Sequence, residues 1–466
     1  MCGILGVSGV PDAARAAYLG LYSLQHRGQE SAGIVAIDPD GVAHAHRGMG
    51  LVSEVLGEPT LAALTGDVAI GHTRYSTAGS SVLANAQPML VPYRAGPLAL
   101  AHNGNLTNAI ELRNELTGRG SIFQTSSDSE VLVHLIARSE ARSPEDQIRD
   151  ALSRVEGAYS LVLTVGRVLY AIVDPRGFRP LFVGRQKGGH VVASETCAFD
   201  LLGAALVREL QPGEFVRIEA DRATPLAPLP AAEPKRCVFE LVYFSRPDST
   251  IFGRSVDRVR RALGRELARE HPAPGADCVF SVPDSSNAMA LGFSDESGIK
   301  LEHGLIRNHY VGRTFINPTE ASRAAKVKIK FNPVRGVIEG RRVVVVDDSL
   351  VRGTTSRDLV HMIRQAGAKE VHFRVASAPI TGPCYYGIDT PSRAELIASS
   401  HSVEDIRRHL GVDTLGYLSL PGMLRAAGEP GGGFCHACFS GEYPTTVPED
   451  AMRNRHAAPV MSGIGR

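Results

Sequence analysis

Cysteine stands at position 2, directly after the initiator methionine. Methionine is normally removed before so small a side chain, which exposes an α-amine with an ordinary pKa of about 7.7–8.0. An amine on the same residue as a thiol can act as its general base. Cys2 could therefore attack an amide and form a thioester without help from a histidine. A second candidate centre lies in VVVVDDSLVRGTT, residues 343–355, where an apolar run closes on two adjacent carboxylates before a loop rich in small residues. Backbone N–H groups of such a loop, opening into a helix, cradle a phosphate. Asp347 and Asp348 repel phosphate and suit ribose hydroxyls or a magnesium ion instead. An ordinary strand and a capped helix would explain the apolar run and Thr355, but not two charges ending a buried strand. A third cluster is Cys435-His436-Ala437-Cys438, with Cys237 and Cys384 far off in sequence. From C-x-x-C alone, zinc, redox and iron–sulfur chemistry all stay open.

Further motifs follow Cys2 in order. They are HRGQESAG (26–33), GHTRYSTAG (71–79), HNGNL (102–106), SDSE (127–130) and DPRGFRPL (174–181). With CGILGV at the start, the set resembles the glutamine-hydrolysing domain of N-terminal nucleophile amidotransferases. The resemblance implies an α+β αββα sandwich. It makes Asn103 and Gly104 the oxyanion donors, one through its side-chain amide and one through its backbone N–H. Arg74 would pair with the carboxylate of glutamine in a forked geometry, Asp128 would accept its ammonium, and Arg27 would join the glutamine site. Taken singly, Asn-Gly is a common turn, Asp128 is favourable in a first helical turn, and Arg74 could be a surface ion pair. His26 and His102 read as structural.

The acidic-pair segment resembles the phosphoribosyl pyrophosphate motif of type I phosphoribosyltransferases, an α/β fold with a mainly parallel sheet. The resemblance implies that Asp347 and Asp348 hold ribose hydroxyls through Mg²⁺. Ser349, Arg352, Gly353, Thr354 and Thr355 would wrap the 5-phosphate. VPDSSNAMALG (282–292) would bring Ser285 near the metal and pyrophosphate. RNHYVGRTFI (307–316), followed by Arg323, Lys326, Lys328 and Lys330, reads as a basic loop closing over the departing charge. CVFELVYFSRPDS (237–249), GPCYYGID (382–389) and CHACFSGEYP (435–444) resemble the cluster-bearing branch of the amidophosphoribosyltransferases. There the matching thiolates, Cys237, Cys384, Cys435 and Cys438, ligate a 4Fe–4S cluster of structural role, tying the two domains and the C-terminal region together. Structural zinc is the runner-up.

Joined, the two halves imply that ammonia released from glutamine at Cys2 is channelled to phosphoribosyl pyrophosphate. Phosphoribosylamine, glutamate and pyrophosphate are the products, and the reaction is the first committed step of purine synthesis. Feedback by purine nucleotides and a homotetramer belong to the same resemblance. An amino-sugar-forming amidotransferase would need sugar-isomerase sequence after the first half. A phosphoribosyl-pyrophosphate-sensing regulator could keep the acidic pair, but has no reason to retain Cys2, Arg74, Asn103 and Asp128 together. Cluster-bearing members commonly carry a short propeptide. Here Cys2 follows the initiator, so maturation is expected to need only methionine removal.

Elements able to position these groups are legible around them. Tyr159 to Val165 and Val168 to Val173 flank Gly166-Arg167 as a hairpin. Ser127 to Glu130 reads as a capping box before a helix. Asp277 to Val282, Arg342 to Val346 and Val371 to Ala376 read as strands of a parallel sheet. Between the last two, Ser356 to Gln365 is a helix stopped at Gly367. With 466 residues, two domains are the default: 2–230 and 237–450, a proline-rich linker over 221–236, and a disordered tail over 451–466. Fifty basic against 49 acidic residues argue for neither a nucleic-acid nor a membrane-surface partner. No apolar run reaches the roughly 18 residues of a membrane span, and a cytoplasmic location is expected. Seven cysteines point to thiol or metal chemistry rather than a disulfide framework. Of these, Cys197 and Cys278 read as inert.

Overall fold

The computed structural model describes residues 1–75, 79–309, 329–390, 392–428 and 433–447. Arg323, Lys326 and Lys328 of the expected basic loop, and the expected tail over 451–466, lie outside the described residues. The chain forms two compact units. The first is Met1–Arg236 together with Cys384–Asp389 and the chain from Tyr443; the second is Cys237–Pro383 with Thr390–Glu442.

Unit one is built on two antiparallel sheets. The seven-stranded sheet runs in the order Ala205–Glu209, Phe182–Gln186, Gly189–Ala193, Gly3–Ser8, Val68–Arg74, Ser31–Ile37, Ala43–Met49. The six-stranded sheet runs Arg222–Pro225, Phe215–Glu219, Val168–Val173, Gly157–Val165, Leu98–Leu106, Met89–Val91. Side-chain alternation explains why both faces of the second sheet are apolar. Ala99, Ala101 and Val162 face Ile4, Val35 and Ile70 of the first sheet. Leu100, Leu161 and Leu163 turn the other way, onto Leu112, Leu132, Ile136 and Ile148. Those last four belong to helices Ala109–Gly118, Ser129–Arg138 and Pro144–Leu152. On the seven-stranded sheet, Leu21 of helix Ala13–Ser23 sits over Gly71, where a Cβ would come within 2.7 Å of it. The result is the expected αββα sandwich.

The Gly166-Arg167 hairpin forms as read, pairing Val165 with Val168. Two readings are corrected. The linker expected over 221–236 begins as a strand, because Arg222–Pro225 pairs with Phe215–Glu219. It is an edge strand, where a proline removes no needed ladder bond. The capping box at Ser127 is not formed. The helix starts at Ser129, and the Glu130 carboxylate turns back to the N–H groups of Gln124 and Thr125.

Unit two carries a four-stranded sheet ordered Cys278–Ser281, Arg342–Asp347, Glu370–Val375, Thr414–Tyr417. All three pairings are parallel. Helix Thr354–Gln365 buries Leu359, Val360 and Ile363 against Val343, Val345 and Phe373. Helices Val256–Glu270 and Asn287–Ser297 meet at backbone distance. A Cβ on Gly264 would lie 1.9 Å from the Met289 carbonyl, and one on Gly292 would lie 2.0 Å from that of Arg261. Only glycine lets the helices approach so closely, and this seats Ser285 and Ser286 beside the acidic pair.

Candidate active sites

Cys2 immediately precedes strand Gly3–Ser8, which pairs Gly3 with Thr73. Asn103 and Gly104 sit in strand Leu98–Leu106 of the facing sheet. The sandwich thus delivers the nucleophile from one sheet and the oxyanion donors from the other. The Cys2 nitrogen donates to Asn103 Oδ1 at 3.1 Å, and Cys2 Sγ lies 3.8 Å from the Tyr75 carbonyl. Asn103 is fully buried, yet its Nδ2 has no hydrogen-bond partner within the described structure. A buried, uncommitted donor is costly in a resting protein. Here it stands on the residue that already orients the nitrogen of the nucleophile. Burial pushes the N-terminal amine, carried by Met1, down to about 5; Cys2 opposes the shift, and the guanidiniums of Arg179 and Arg27 add to it.

The other residues of the expected glutamine site are placed as follows. Arg74 is buried at the end of strand Val68–Arg74, paired with Glu30 and donating to the Ser80 carbonyl at 3.2 Å. Asp128 precedes helix Ser129–Arg138 and accepts the Leu106 N–H at 2.9 Å, next to the oxyanion strand. Arg27 was expected to bind glutamine. It lies fully buried beside the nucleophile, its Nε donating to the Cys2 carbonyl at 3.0 Å and its Nη1 paired with Glu195. It therefore holds the nucleophile's backbone. Glu195, which the sequence reading missed, also takes His26 Nε2 at 2.7 Å. A carboxylate inside the apolar run VVASETCAF was the available signal. His102 Nδ1 meets Ser129 Oγ at 2.9 Å. Nearby His72 is neutral, pushed down to about 3 by burial.

In unit two, Asp347 ends its strand half-buried and Asp348 follows it buried. Ser285 Oγ donates to Asp348, and Ser286 Oγ to Asp347 at 3.3 Å. Ser349 Oγ donates to the other oxygen of Asp348. Burial, then the charge of Asp348, raises Asp347 well above the carboxylate range; burial likewise raises Asp348. Two carboxyls held this way accept a divalent cation or hydroxyl donors. Gly353 adopts φ 75° and caps helix Thr354–Gln365, leaving the Thr354 and Thr355 side chains exposed at its first turn. Arg352 is exposed and bonds Glu395 at 3.0 Å. Lys330, the described member of the basic set, lies 4.9 Å from the Phe331 ring.

Cys237 and Cys435 are the last residues of two short strands, and Cys438 lies in helix Ala437–Ser440. Cys384 Sγ accepts the backbone N–H groups of Tyr386 and Ile388 at 3.3 and 3.4 Å. Among the described residues, no three His, Cys, Asp or Glu side chains converge on a point where a metal ion would sit. The donor set fits an iron–sulfur cluster or zinc in chemical kind. Cys197 and Cys278 are buried, and burial pushes the Cys278 thiol up.

Residues 72–200 match the family of glutamine amidotransferase domains. Along nearly its whole length the chain is similar to amidophosphoribosyltransferases. It is 52% identical over 453 residues to amidophosphoribosyltransferase 2, chloroplastic, of Arabidopsis thaliana, covering 97% of this chain and 81% of that protein. It is 50% identical over 456 residues to the Bacillus subtilis amidophosphoribosyltransferase, covering 97% and 95%. The solved structure of glutamine phosphoribosylpyrophosphate amidotransferase from B. subtilis complexed with ADP and GMP superposes with a TM-score of 0.90. The match is 49% identical and covers 96% of this chain and 98% of that one.

Proposed function

The chain belongs to the amidophosphoribosyltransferase family, and from that premise we propose that Cys2 and the Asp347–Asp348 pocket are its glutaminase and transferase centres. The enzyme converts glutamine, phosphoribosyl pyrophosphate and water to phosphoribosylamine, glutamate and pyrophosphate, the first step of purine biosynthesis.

At the first centre, Cys2 Sγ attacks the amide carbon and its proton passes to the α-amine exposed by loss of Met1. The carbonyl oxygen becomes an oxyanion received by Asn103 Nδ2 and the Gly104 N–H. Collapse releases ammonia, which takes the proton from the amine, and water then frees glutamate from the thioester. At the second centre, ammonia attacks C1 of the ribose as pyrophosphate departs. Asp347 and Asp348 orient the ribose hydroxyls, and the first turn at Thr354 and Thr355 receives the 5-phosphate. Mg²⁺ bound at the pair would offset the charge of the leaving pyrophosphate. The observation that carries this reading is the Asn103 amide, oxygen on the Cys2 nitrogen and nitrogen uncommitted. Glutamine hydrolysis by the purified chain is expected to rise when phosphoribosyl pyrophosphate is added. Hydrolysis indifferent to it would argue that the two centres work independently.

Cys237, Cys384, Cys435 and Cys438 form the proposed ligand set of a 4Fe–4S cluster, and the Cys384 sulfur accepts two backbone N–H groups, the kind of contact that also steadies a cluster ligand. When bound, the cluster would serve a structural role. Anaerobically prepared protein is expected to be brown, with broad visible absorbance and with iron and labile sulfide on analysis. A colourless preparation containing zinc would overturn this. Inhibition by purine nucleotides is proposed because the B. subtilis relative was solved with ADP and GMP. A homotetramer is proposed from the resemblance to this family; Tyr22, Leu201, Leu206 and Val207 are apolar side chains that unit one leaves exposed. The proposed location is cytoplasmic; among the described residues no helix is long and apolar enough to cross a membrane.

A further inference from the structure

We propose that Cys384–Asp389, six residues from the second half of the chain, form the back wall of the oxyanion hole, with Gly387 a positioning residue for glutamine hydrolysis. This rests on the reading of Asn103 and Gly104 as the oxyanion donors.

The segment belongs to unit one although residues 237–383 separate it from Arg236 and residues 390–442 separate it from Tyr443. Its backbone is held at two successive carbonyls. Asn105 Nδ2 donates to the Tyr385 carbonyl at 2.8 Å. Arg179 donates to the Tyr386 carbonyl through Nε at 3.1 Å and Nη2 at 2.6 Å. Arg179 is fully buried, and an ionic group that deep is commonly matched to a carboxylate. Here two of its nitrogens converge on one peptide oxygen. The Phe178 ring stacks on Tyr386 with centroids 4.4 Å apart and planes 16° from parallel. The Tyr386 hydroxyl meets Thr445 Oγ1 at 3.0 Å.

What these contacts fix is the next residue. Gly387 lies against the peptide of Gly104: a Cβ there would stand 2.9 Å from the Gly104 carbonyl carbon and 3.0 Å from its Cα and oxygen. A Cβ on Gly104 itself would stand 2.0 Å from the Ala158 carbonyl oxygen. Both glycines have positive φ, 154° at Gly104 and 104° at Gly387. The residue that carries the oxyanion N–H is therefore closely packed both by its own sheet neighbour and, at its Cα and carbonyl, by a backbone imported from far along the chain. An oxyanion hole works because its donors are already in place when charge develops, and small displacements forfeit much of the effect. Asn105, next in sequence to that residue, makes one of the anchoring bonds. Any movement of the segment thus bears directly on the strand that carries the donors.

The test uses the full chain carrying Gly387→Ala and, separately, Asn105→Ala, with Asn103→Ala as reference. For Gly387→Ala, kcat with glutamine is expected to fall about a hundredfold, as for loss of one oxyanion donor. The KM for glutamine should stay within about twofold, because the lost interaction is made only in the transition state. Synthesis from ammonia, which needs no oxyanion hole, is expected to persist. Asn105→Ala, which adds no bulk, should show the same split with a loss of about three- to tenfold, and decides the matter if Gly387→Ala does not fold. A raised KM at unchanged kcat, or equal loss with both nitrogen sources, would overturn the proposal. If Asn103→Ala leaves kcat intact, it is the assignment of the oxyanion donors that has failed, and the two failures are told apart.

Discussion

Cys2→Ala is expected to abolish glutamine-dependent synthesis, lowering kcat by about four orders of magnitude or more, while ammonia-dependent synthesis stays near that of the parent enzyme. The asymmetry follows from what the substitution removes. The contact that orients residue 2 runs from its backbone nitrogen to Asn103 Oδ1, and Arg27 grips its carbonyl. Neither involves sulfur, so the local structure survives the loss of the nucleophile. Equal loss of both activities would mean that the thiol serves folding. The same site predicts a pH profile. Burial pushes the amine of Met1 down to about 5, and Cys2, whose nitrogen becomes the terminal amine once Met1 is removed, is itself buried, so desolvation is expected to lower that amine too. A general base works unprotonated, so activity is present above its pKa and is lost as pH falls through it. The acid limb of kcat/KM for glutamine should therefore lie well below the ordinary amine range of about 7.7–8.0. A limb at or above that range would show that the amine is not desolvated in the working enzyme.

Asp347→Asn should suppress synthesis with either nitrogen source by about a hundredfold or more, yet raise the thermal midpoint of the ligand-free protein. Both effects come from one arrangement. Burial and the neighbouring Asp348 raise Asp347 well above the carboxylate range. A carboxyl whose folded pKa is raised is bound to its proton more tightly in the folded chain than in the unfolded one. Stability is then lost as pH rises from the ordinary value of about 3.9 towards the raised one. At neutral pH the pair is a liability that an amide relieves, and each kcal/mol recovered moves the midpoint by about 2–4 °C. Magnesium should stabilise the parent chain and not the variant. A lowered midpoint, or retained synthesis, would place the function of the pair elsewhere.

How much of this was legible depends on how local the determining interactions are. Alternation along Leu98 to Ala101 and Tyr159 to Val165 marks two-faced strands, and the hairpin at Gly166-Arg167 is set by adjacent residues. The acidic pair stood out because a charge doublet at the end of an apolar run has no structural explanation. Arg27 shows the reach of a local reading, because a conspicuous arginine beside a binding motif reads as a ligand contact. Only the fold reveals that Glu195, 168 residues away, neutralises it beneath Cys2. Ser127 and Glu130 have capping-box spacing, but the chain entering from Gln124 and Thr125 offers its N–H groups first. Arg222–Pro225 looked like linker because proline weighs heavily in any local reading, although an edge strand tolerates it. Nothing around Cys384–Asp389 announces that its partners are Asn105, Phe178 and Arg179.

That segment bears on how the protein can be dissected. A fragment ending at Arg236 would contain every residue expected to touch glutamine, and by the usual logic of domain boundaries should be a free-standing glutaminase. It would lack the backbone that leans on the Gly104 peptide, and Arg179 would lose the Tyr386 carbonyl that accepts from two of its nitrogens. Such a fragment is better suited to crystallising a misaligned pocket than to measuring turnover. Fusing Cys384–Asp389 back through a short tether would be the more faithful minimal enzyme.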